Sequence, residues 1–161
     1  MSLGVLRRGW PVVIEVTATM PGPPGLVWDL ITDWEHQDDW MLEASDFEVI
    51  SEQREGVGVE AEATVAIGGI KTRDRVRVSG WEPPKRLVID HLGWVKGHGE
   101  LHLTPGHRSP TTHLYWREEL HPPLGILGAI GLALFKPLMN RVFARDLRVL
   151  QGLVRVGAGA P

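Results

Sequence analysis

Three ionisable residues, Asp74, His91 and Glu118, fall where the alternation of predicted strands turns side chains toward the interior. Buried carboxyl groups tend to have raised pKa values, and histidine titrates near neutral pH. If the three side chains converge, they could transfer protons on a bound molecule or orient one of its hydroxyl groups. The alternative is that each lies near a strand end and contacts water or a backbone group, as buried polar groups usually do.

A second group with possible chemistry is the stretch HGELH, in which His98, Glu100 and His102 share one face of a predicted strand. If the following turn pairs Thr104 with Thr111, His113 lies directly across from His102, which would place two imidazoles and a carboxylate side by side. This face points outward, and a functional metal site needs a closed ligand shell with further supporting groups. We therefore interpret these residues as solvated and predict no metal site.

The same alternation predicts an apolar interior that could hold a ligand. The strand residues assigned to the cavity are Val65, Val76, Ile89, Leu101, Leu114 and Trp116. The last helix should add Leu134, Phe135, Leu138, Met139 and Phe143, of which the methionine gives an adaptable surface. For each of these residues, packing in an ordinary core is the alternative.

Trp34, Trp40 and Trp94 fall in predicted loops or short helices, where they could surround the cavity mouth together with Met41. Indole rings at such positions could control entry of a ligand. They could equally close the ends of the core, with the ring packed and the N–H group left in water.

The elements that must position these residues follow a clear order. Val12 to Met20 alternates as a half-buried strand, and two short helices follow, the second from Trp34 to Met41. From Phe47 onward, strands are separated by glycine and proline, and Gly68-Gly69 reads as a hairpin turn that pairs Ile67 with Ile70. A helix from Ile126 to about Val156 ends the chain, and Pro137 should interrupt or kink it.

Length and composition suit one domain over residues 1–161, with 1–10 as a flexible lead-in. A net charge of −3 gives no general attraction to nucleic acid. The chain has no cysteine, which excludes disulfides, thiolate zinc sites and a thiol nucleophile and fits a cytoplasmic protein. The most apolar segment, Pro122 to Phe135, is shorter than the ~20 residues of a membrane span.

The order strand, two short helices, six strands and a long helix resembles the START-like or Bet v 1-like superfamily, specifically its polyketide cyclase/dehydrase and lipid-transport branch. The segments that carry the resemblance are PGPPGLVWDLITDW within Val13 to Asp33, WEPPKRLVID from Trp81 to Asp90, and TTHLYW from Thr111 to Trp116. The resemblance covers about residues 11–156. It implies an α+β helix-grip fold, in which a seven-stranded antiparallel sheet wraps around the C-terminal helix and encloses a cavity for lipids, sterols, hormones or polyketides.

The resemblance leaves the chemistry open, because members include enzymes, carriers and receptors. Our leading hypothesis is a protein that binds a small hydrophobic molecule and needs no cofactor. The alternative is a polyketide cyclase or aromatase acting through Asp74, His91 and Glu118, although the chain has no cavity arginine or tyrosine set that matches the better-defined cyclases. A third possibility, a protein-interaction module, requires side chains to fill the cavity.

Membrane contact is a further possibility, because a row of basic residues on the last helix follows the apolar Leu124 to Phe135 segment. The row consists of Arg141, Arg145, Arg148 and Arg155, with Lys136 nearby. The alternative, which we favour, is a solvated helix face, since the row is short and the protein is acidic. The sequence does not predict an oligomeric state.

Overall fold

The computed structural model describes residues 10–108 and 110–159, so most of the predicted lead-in lies outside the described residues. Strand β1 (Val12–Met20) precedes helix α1 (Pro24–Ile31) and a 3₁₀ helix (Trp34–Asp39). The strands β2 (Ala44–Val49), β3 (Glu60–Ile67), β4 (Ile70–Glu82), β5 (Arg86–His91), β6 (Lys96–Pro105) and β7 (Thr112–His121) follow, and helix α2 (Gly125–Ala158) is last. The predicted α+β class and element order are confirmed.

The seven strands form one antiparallel sheet in the order β1-β7-β6-β5-β4-β3-β2. The hairpin at Gly68-Gly69 sets the predicted register, with Ile67 opposite Ile70. Both glycines have positive φ angles, 60° and 81°, which such a turn requires. On the outer face of β3 and β4, Arg73 donates to Glu62 at 3.2 Å, while the inner face carries small and apolar residues.

Helix α2 continues through Pro137, so the predicted interruption does not occur. A proline removes one backbone donor, and the packing of the helix beyond it outweighs that loss. The second half of α2 carries a buried stripe of Met139, Phe143, Leu147, Leu150 and Val154, as its spacing predicts. This stripe fixes α2 against the sheet.

The first half of α2 differs, because its apolar side chains are largely exposed. Ile126, Leu127, Ile130 and Leu134 are all more than half exposed, and Leu134 is 77% exposed. By length and composition, α2 is the one helix among the described residues that could cross a membrane. Its second half nevertheless supplies the core of the fold, so the helix is a structural element of the domain.

The two halves of α2 should respond to the same substitution with stability losses of very different size. Leu150→Ala removes a side chain with no exposed surface and should lower the free energy of unfolding by about 2–5 kcal/mol. Leu134→Ala, the control on the same helix, should change it by less than about 0.5 kcal/mol. Urea unfolding followed by circular dichroism measures both values, and equal losses would contradict the assigned packing of α2.

Candidate functional site

A cavity of about 210 Å³ lies between the concave face of the sheet and α2. A single water molecule needs only ~10–15 Å³ of such space, so the cavity has room for an organic molecule. Its lining is mainly apolar and comprises Met41, Ala44, Phe47, Ala63, Val65, Ile67, Val76, Trp94, Val95, Trp116, Leu120, Leu132, Met139 and Phe143. The polar lining residues are Glu43, Thr72, Arg73, Asp74, His91 and Glu118.

Ten of the residues predicted to bind a ligand border this cavity. They are Met41, Val65, Asp74, Val76, His91, Trp94, Trp116, Glu118, Met139 and Phe143. Within this group, Trp94 is 63% exposed and lies where the cavity meets solvent. Trp116 stacks on Phe143 with ring centroids 4.5 Å apart, which joins the sheet to α2 beside the cavity.

The remaining predicted residues lie elsewhere. Ile89, Leu101 and Leu114 have the predicted inward orientation but pack within the core. Leu134 was expected to face inward and instead faces solvent, because α2 presents its buried stripe from Met139 onward. Phe135 and Leu138 contact the β3–β4 turn, where a Cβ on Gly68 would lie 2.8 Å from the Phe135 ring.

Two of the three tryptophans predicted at the mouth belong to the core instead. Trp34 is 7% exposed, stacks on Phe47 and donates its N–H to the Arg54 carbonyl at 2.8 Å. Trp40 is 3% exposed and meets Trp116 edge to face at 6.0 Å. The short helices fold over the sheet and bury these rings, so both pack in the core as the alternative interpretation has it. Neither N–H group is left in water, however, because that of Trp40 is also buried and has no hydrogen-bond partner among the described residues.

Asp74, His91 and Glu118 converge on the cavity wall and form what we call the polar triad. His91 Nδ1 lies 2.7 Å from Asp74 Oδ2, and Nε2 lies 3.0 Å from Glu118 Oε2. Trp116 Nε1 donates to the other oxygen of Glu118 at 2.7 Å. The side chains of Asp74 and His91 are 20% exposed and that of Glu118 is 8% exposed, so the triad is largely withdrawn from water.

His91 is an imidazolium in this arrangement, because a ring that binds a carboxylate through each nitrogen must donate from both. Burial of the ring lowers its pKa. The charge of Glu118 and the hydrogen bonds of Asp74 and Glu118 outweigh that effect and raise the pKa to about 10. The triad therefore holds two carboxylates around one positive ring at neutral pH.

A glycine on β6, Gly99, allows the contact between His91 and Glu118 to form. His91 on β5 pairs with Gly97, and Glu118 on β7 pairs with Gly99, so β6 separates the two side chains. Strands two positions apart are separated by about 10 Å, and a side chain rising from the strand between them would block the space. A Cβ on Gly99 would overlap the Glu118 carboxylate, with its Cδ only 2.8 Å away. Gly93 similarly leaves room for Asp74.

Gly93, Gly97 and Gly99 were not predicted to belong to the site. Gly97 and Gly99 lie inside β6, where glycine is otherwise unfavourable. A glycine in a strand next to an inward carboxylate is the signal that could have identified them.

A second ionisable cluster, Glu43, Arg145 and Asp146, lies beside the cavity and was not predicted. Arg145 lies 3.3 Å from Glu43 Oε2 and 3.0 Å from Asp146 Oδ1. Asp146 has no exposed surface, and when both acids are ionised its Oδ2 has no hydrogen-bond partner among the described residues. Arg145 therefore pairs within the protein and is not a member of a free basic row.

The pKa of Glu43 is raised to about 8, chiefly by burial and also by its hydrogen bond to Asp146 and the charge of Asp146. A backbone hydrogen bond and the charge of Arg145 lower the pKa and offset part of this effect. At neutral pH Glu43 thus holds a proton, and that proton can satisfy the free Asp146 oxygen. An acidic residue on the apolar stripe of α2, three positions after Phe143, is the sequence signal for this pair.

The outward HGELH stretch has a different register from the one predicted. Thr104 pairs with His113, and His102 pairs with Tyr115, so His113 is not opposite His102. Strand β6 ends at Pro105 and β7 begins at Thr112, each one residue later than predicted, and this moves the register by two residues. Glu100 accepts from His102 at 2.9 Å and lies 3.5 Å from Arg86. No cluster suited to a metal ion occurs within residues 10–108 and 110–159.

The family model described as polyketide cyclase/dehydrase and lipid transport matches residues 11–155. No relative was found among curated protein sequences. Because the match spans nearly the whole chain, it covers both the sheet and α2.

Solved structures are similar at low sequence identity. A protein from Thermus thermophilus is 19% identical, with a TM-score of 0.77 over 92% of this chain and 100% of its own. The Zhui aromatase/cyclase from Streptomyces sp. R1128 is 17% identical, with a TM-score of 0.76 over 91% and 94%. A START superfamily protein from Mycobacterium smegmatis is 14% identical, with a TM-score of 0.74 over 89% and 97%. At these identities the similarity establishes the fold alone.

The steric role of Gly99 on β6 can be tested by substitution. Gly99→Ala should displace the Glu118 carboxylate from His91, so the pKa of His91 should fall from about 10 toward its ordinary range. NMR titration of the labelled imidazole measures this change. Gly152→Ala on α2, where a Cβ meets nothing within 4 Å, serves as the control. An unchanged His91 titration in Gly99→Ala would refute the steric role.

The raised pKa of Glu43 makes stability depend on pH. A carboxyl whose folded pKa exceeds its unfolded value stabilises the protein fully below the unfolded pKa, and this contribution is lost as pH rises through the folded pKa. Between about pH 5 and about pH 9, wild type should lose more stability than Glu43→Gln, whose amide imitates the protonated acid.

Denaturant unfolding across this pH range, with exposed Glu48→Gln as the control, measures the difference. If Glu43→Gln and Glu48→Gln both follow the wild-type curve, the shared proton is absent.

Proposed function

Because the chain belongs to the polyketide cyclase/dehydrase and lipid transport family, we propose that it binds a small hydrophobic molecule in the cavity between the sheet and α2. The structures with the same fold leave the ligand open, so the proposal rests on the cavity itself. The partner that we propose for this protein is therefore a small molecule, for which the described residues form a cavity. A cytoplasmic location is part of this proposal, and a chain without cysteine is compatible with it.

One observation carries the proposal: the cavity is apolar over most of its lining and has a compact polar group on one wall. Binding sites for small molecules are mostly apolar, with a few placed polar groups that orient the ligand. Its volume of about 210 Å³ is below the ~300–1,000 Å³ of pockets for drug-sized ligands, which favours a compact molecule.

The open cavity argues against a purely structural or protein-docking role. In such a role, side chains of α2 would fill the concave face of the sheet, as they do around Leu147 and Leu150. Around Met139 and Phe143 the space remains open. Apolar space of this size stabilises nothing by itself, because its walls lose packing contacts.

The polar triad favours a second candidate, a cyclase or aromatase acting through Asp74, His91 and Glu118. The three groups lie in a largely dry site, where carboxylates and imidazoles can transfer protons. Against this role, both N–H groups of His91 are already bound to carboxylates. His91 would have to release one carboxylate before it could donate a proton to a substrate, so binding is the better-supported function.

Native mass spectrometry of protein purified from its own source separates the two candidates. The molecule that copurifies is identified by its mass and then incubated with excess protein. A carrier returns it with unchanged mass and chromatographic retention. An enzyme acting through the triad converts it, either to a cyclised isomer of equal mass or to a product that has lost water, and loses that conversion in His91→Gln. Conversion dependent on His91 would overturn the preference for binding.

The cavity can also be tested by filling it. Ala63 lines the cavity on β3, and Ala66 lies exposed on the opposite face of the same strand. Wild type should bind the neutral dye N-phenyl-1-naphthylamine saturably, and Ala63→Phe should weaken binding at least about tenfold, or about 1.4 kcal/mol. Ala66→Phe should bind within about twofold of wild type. No saturable binding, or equal weakening in both variants, would overturn the cavity as the binding site.

A further inference from the structure

The polar triad has hydrogen-bond acceptors left but no donors. His91 uses both N–H groups on Asp74 and Glu118, and Trp116 uses its N–H on Glu118. A carboxylate offers about four acceptor sites, so these bonds leave lone pairs on both acids. What the triad can still do for a ligand is accept hydrogen bonds from it.

The triad also carries excess negative charge, because one imidazolium faces two carboxylates. The apolar lining around it weakens screening by solvent and strengthens the effect of that charge. Asp74 is the more accessible of the two acids, with 20% of its side chain exposed against 8% for Glu118. A ligand head group would therefore meet Asp74 first.

The other charged groups at the cavity do not reverse this balance. The Arg73 guanidinium binds Glu62 at 3.2 Å on the outer face of the sheet. Arg145 lies against Glu43 and Asp146, and Glu43 keeps its proton at neutral pH because of burial and its bond to Asp146. Asp146 therefore balances the charge of Arg145, and Arg145 is not among the residues that line the cavity.

We propose that the cavity selects ligands by their head group: it takes hydrophobic molecules with a hydroxyl or amine that donates a hydrogen bond to Asp74 and Glu118, and it excludes carboxylates. This selectivity rests on the proposed binding function. A carboxylate brings a second negative charge beside the triad and offers no donor, and both features oppose binding. A phenol, an alcohol or a protonated amine meets the acceptors with the donor they lack.

The test compares three ligands with one chain and different heads. Octan-1-ol, octylamine and octanoate compete with N-phenyl-1-naphthylamine for the protein at neutral pH and below their micelle-forming concentrations. The alcohol and the amine should displace the dye at concentrations at least about tenfold lower than octanoate. Equal displacement by all three, or strongest displacement by octanoate, would overturn the selectivity while leaving the binding function intact.

Failure of the binding function gives a different result, because the dye itself then shows no saturable binding to wild type. Asp74→Asn removes one carboxylate charge and should reduce the preference over octanoate to within about threefold. The control is Asp90→Asn, which makes the same charge change. Asp90 directly precedes His91 on β5 and pairs with His98 on β6, so its side chain lies on the opposite face of the sheet and the preference should be preserved.

Circular dichroism and a cooperative thermal unfolding transition verify that Asp74→Asn is folded, and its own dye affinity is the reference for the competition. Should that variant lose dye binding, Glu118→Gln replaces it, with the same expected loss of preference. A preference of at least about tenfold that persists in a folded, dye-binding variant would show that the triad does not set it.

Discussion

The arrangement of the site depends on a hydrogen-bonded ion group that spans three strands. His91 on β5 reaches Asp74 on the neighbouring β4 and, across β6, Glu118 on β7. Ionised groups withdrawn from water are costly unless they are paired, and removing one partner leaves the other uncompensated. The triad is therefore stable only as a set. Its charge also opposes closure of apolar side chains onto that wall, which helps to keep the cavity open.

The sequence predicted those parts of the site that follow from local periodicity. Strand alternation has a period of two, and the Gly68-Gly69 turn fixes one register, so Asp74 and Val76 could be assigned to the inner face from the sequence. The assignments that failed depend on relations between distant elements. The rotation of α2 over the sheet decides that Leu134 is exposed while Met139 is buried, and helical spacing alone does not contain that rotation.

Other features were missed because they depend on the position of a turn along the chain or on groups that touch only in the folded protein. The β6–β7 turn both begins and ends one residue later than expected, so His113 is not opposite His102. Trp34 and Trp40 are buried by the fold of a short connecting segment that carries no strong periodicity. Glu43 and Asp146 are about a hundred residues apart in sequence, and their contact links the segment before β2 to α2.

The need for a residue without a side chain at Gly99 of β6 limits how such a site can arise or be transferred to a related protein. Introducing Asp, His and Glu at the corresponding positions of a relative with a larger residue in place of Gly99 would press that residue against the new glutamate and keep it from the histidine. That glycine has to be acquired first, at a cost in strand stability of roughly 0.5–1 kcal/mol. Whether the site arises by design or by evolution, it therefore passes through an intermediate with a less stable strand. Sterics fix the order of substitutions before ligand recognition can improve.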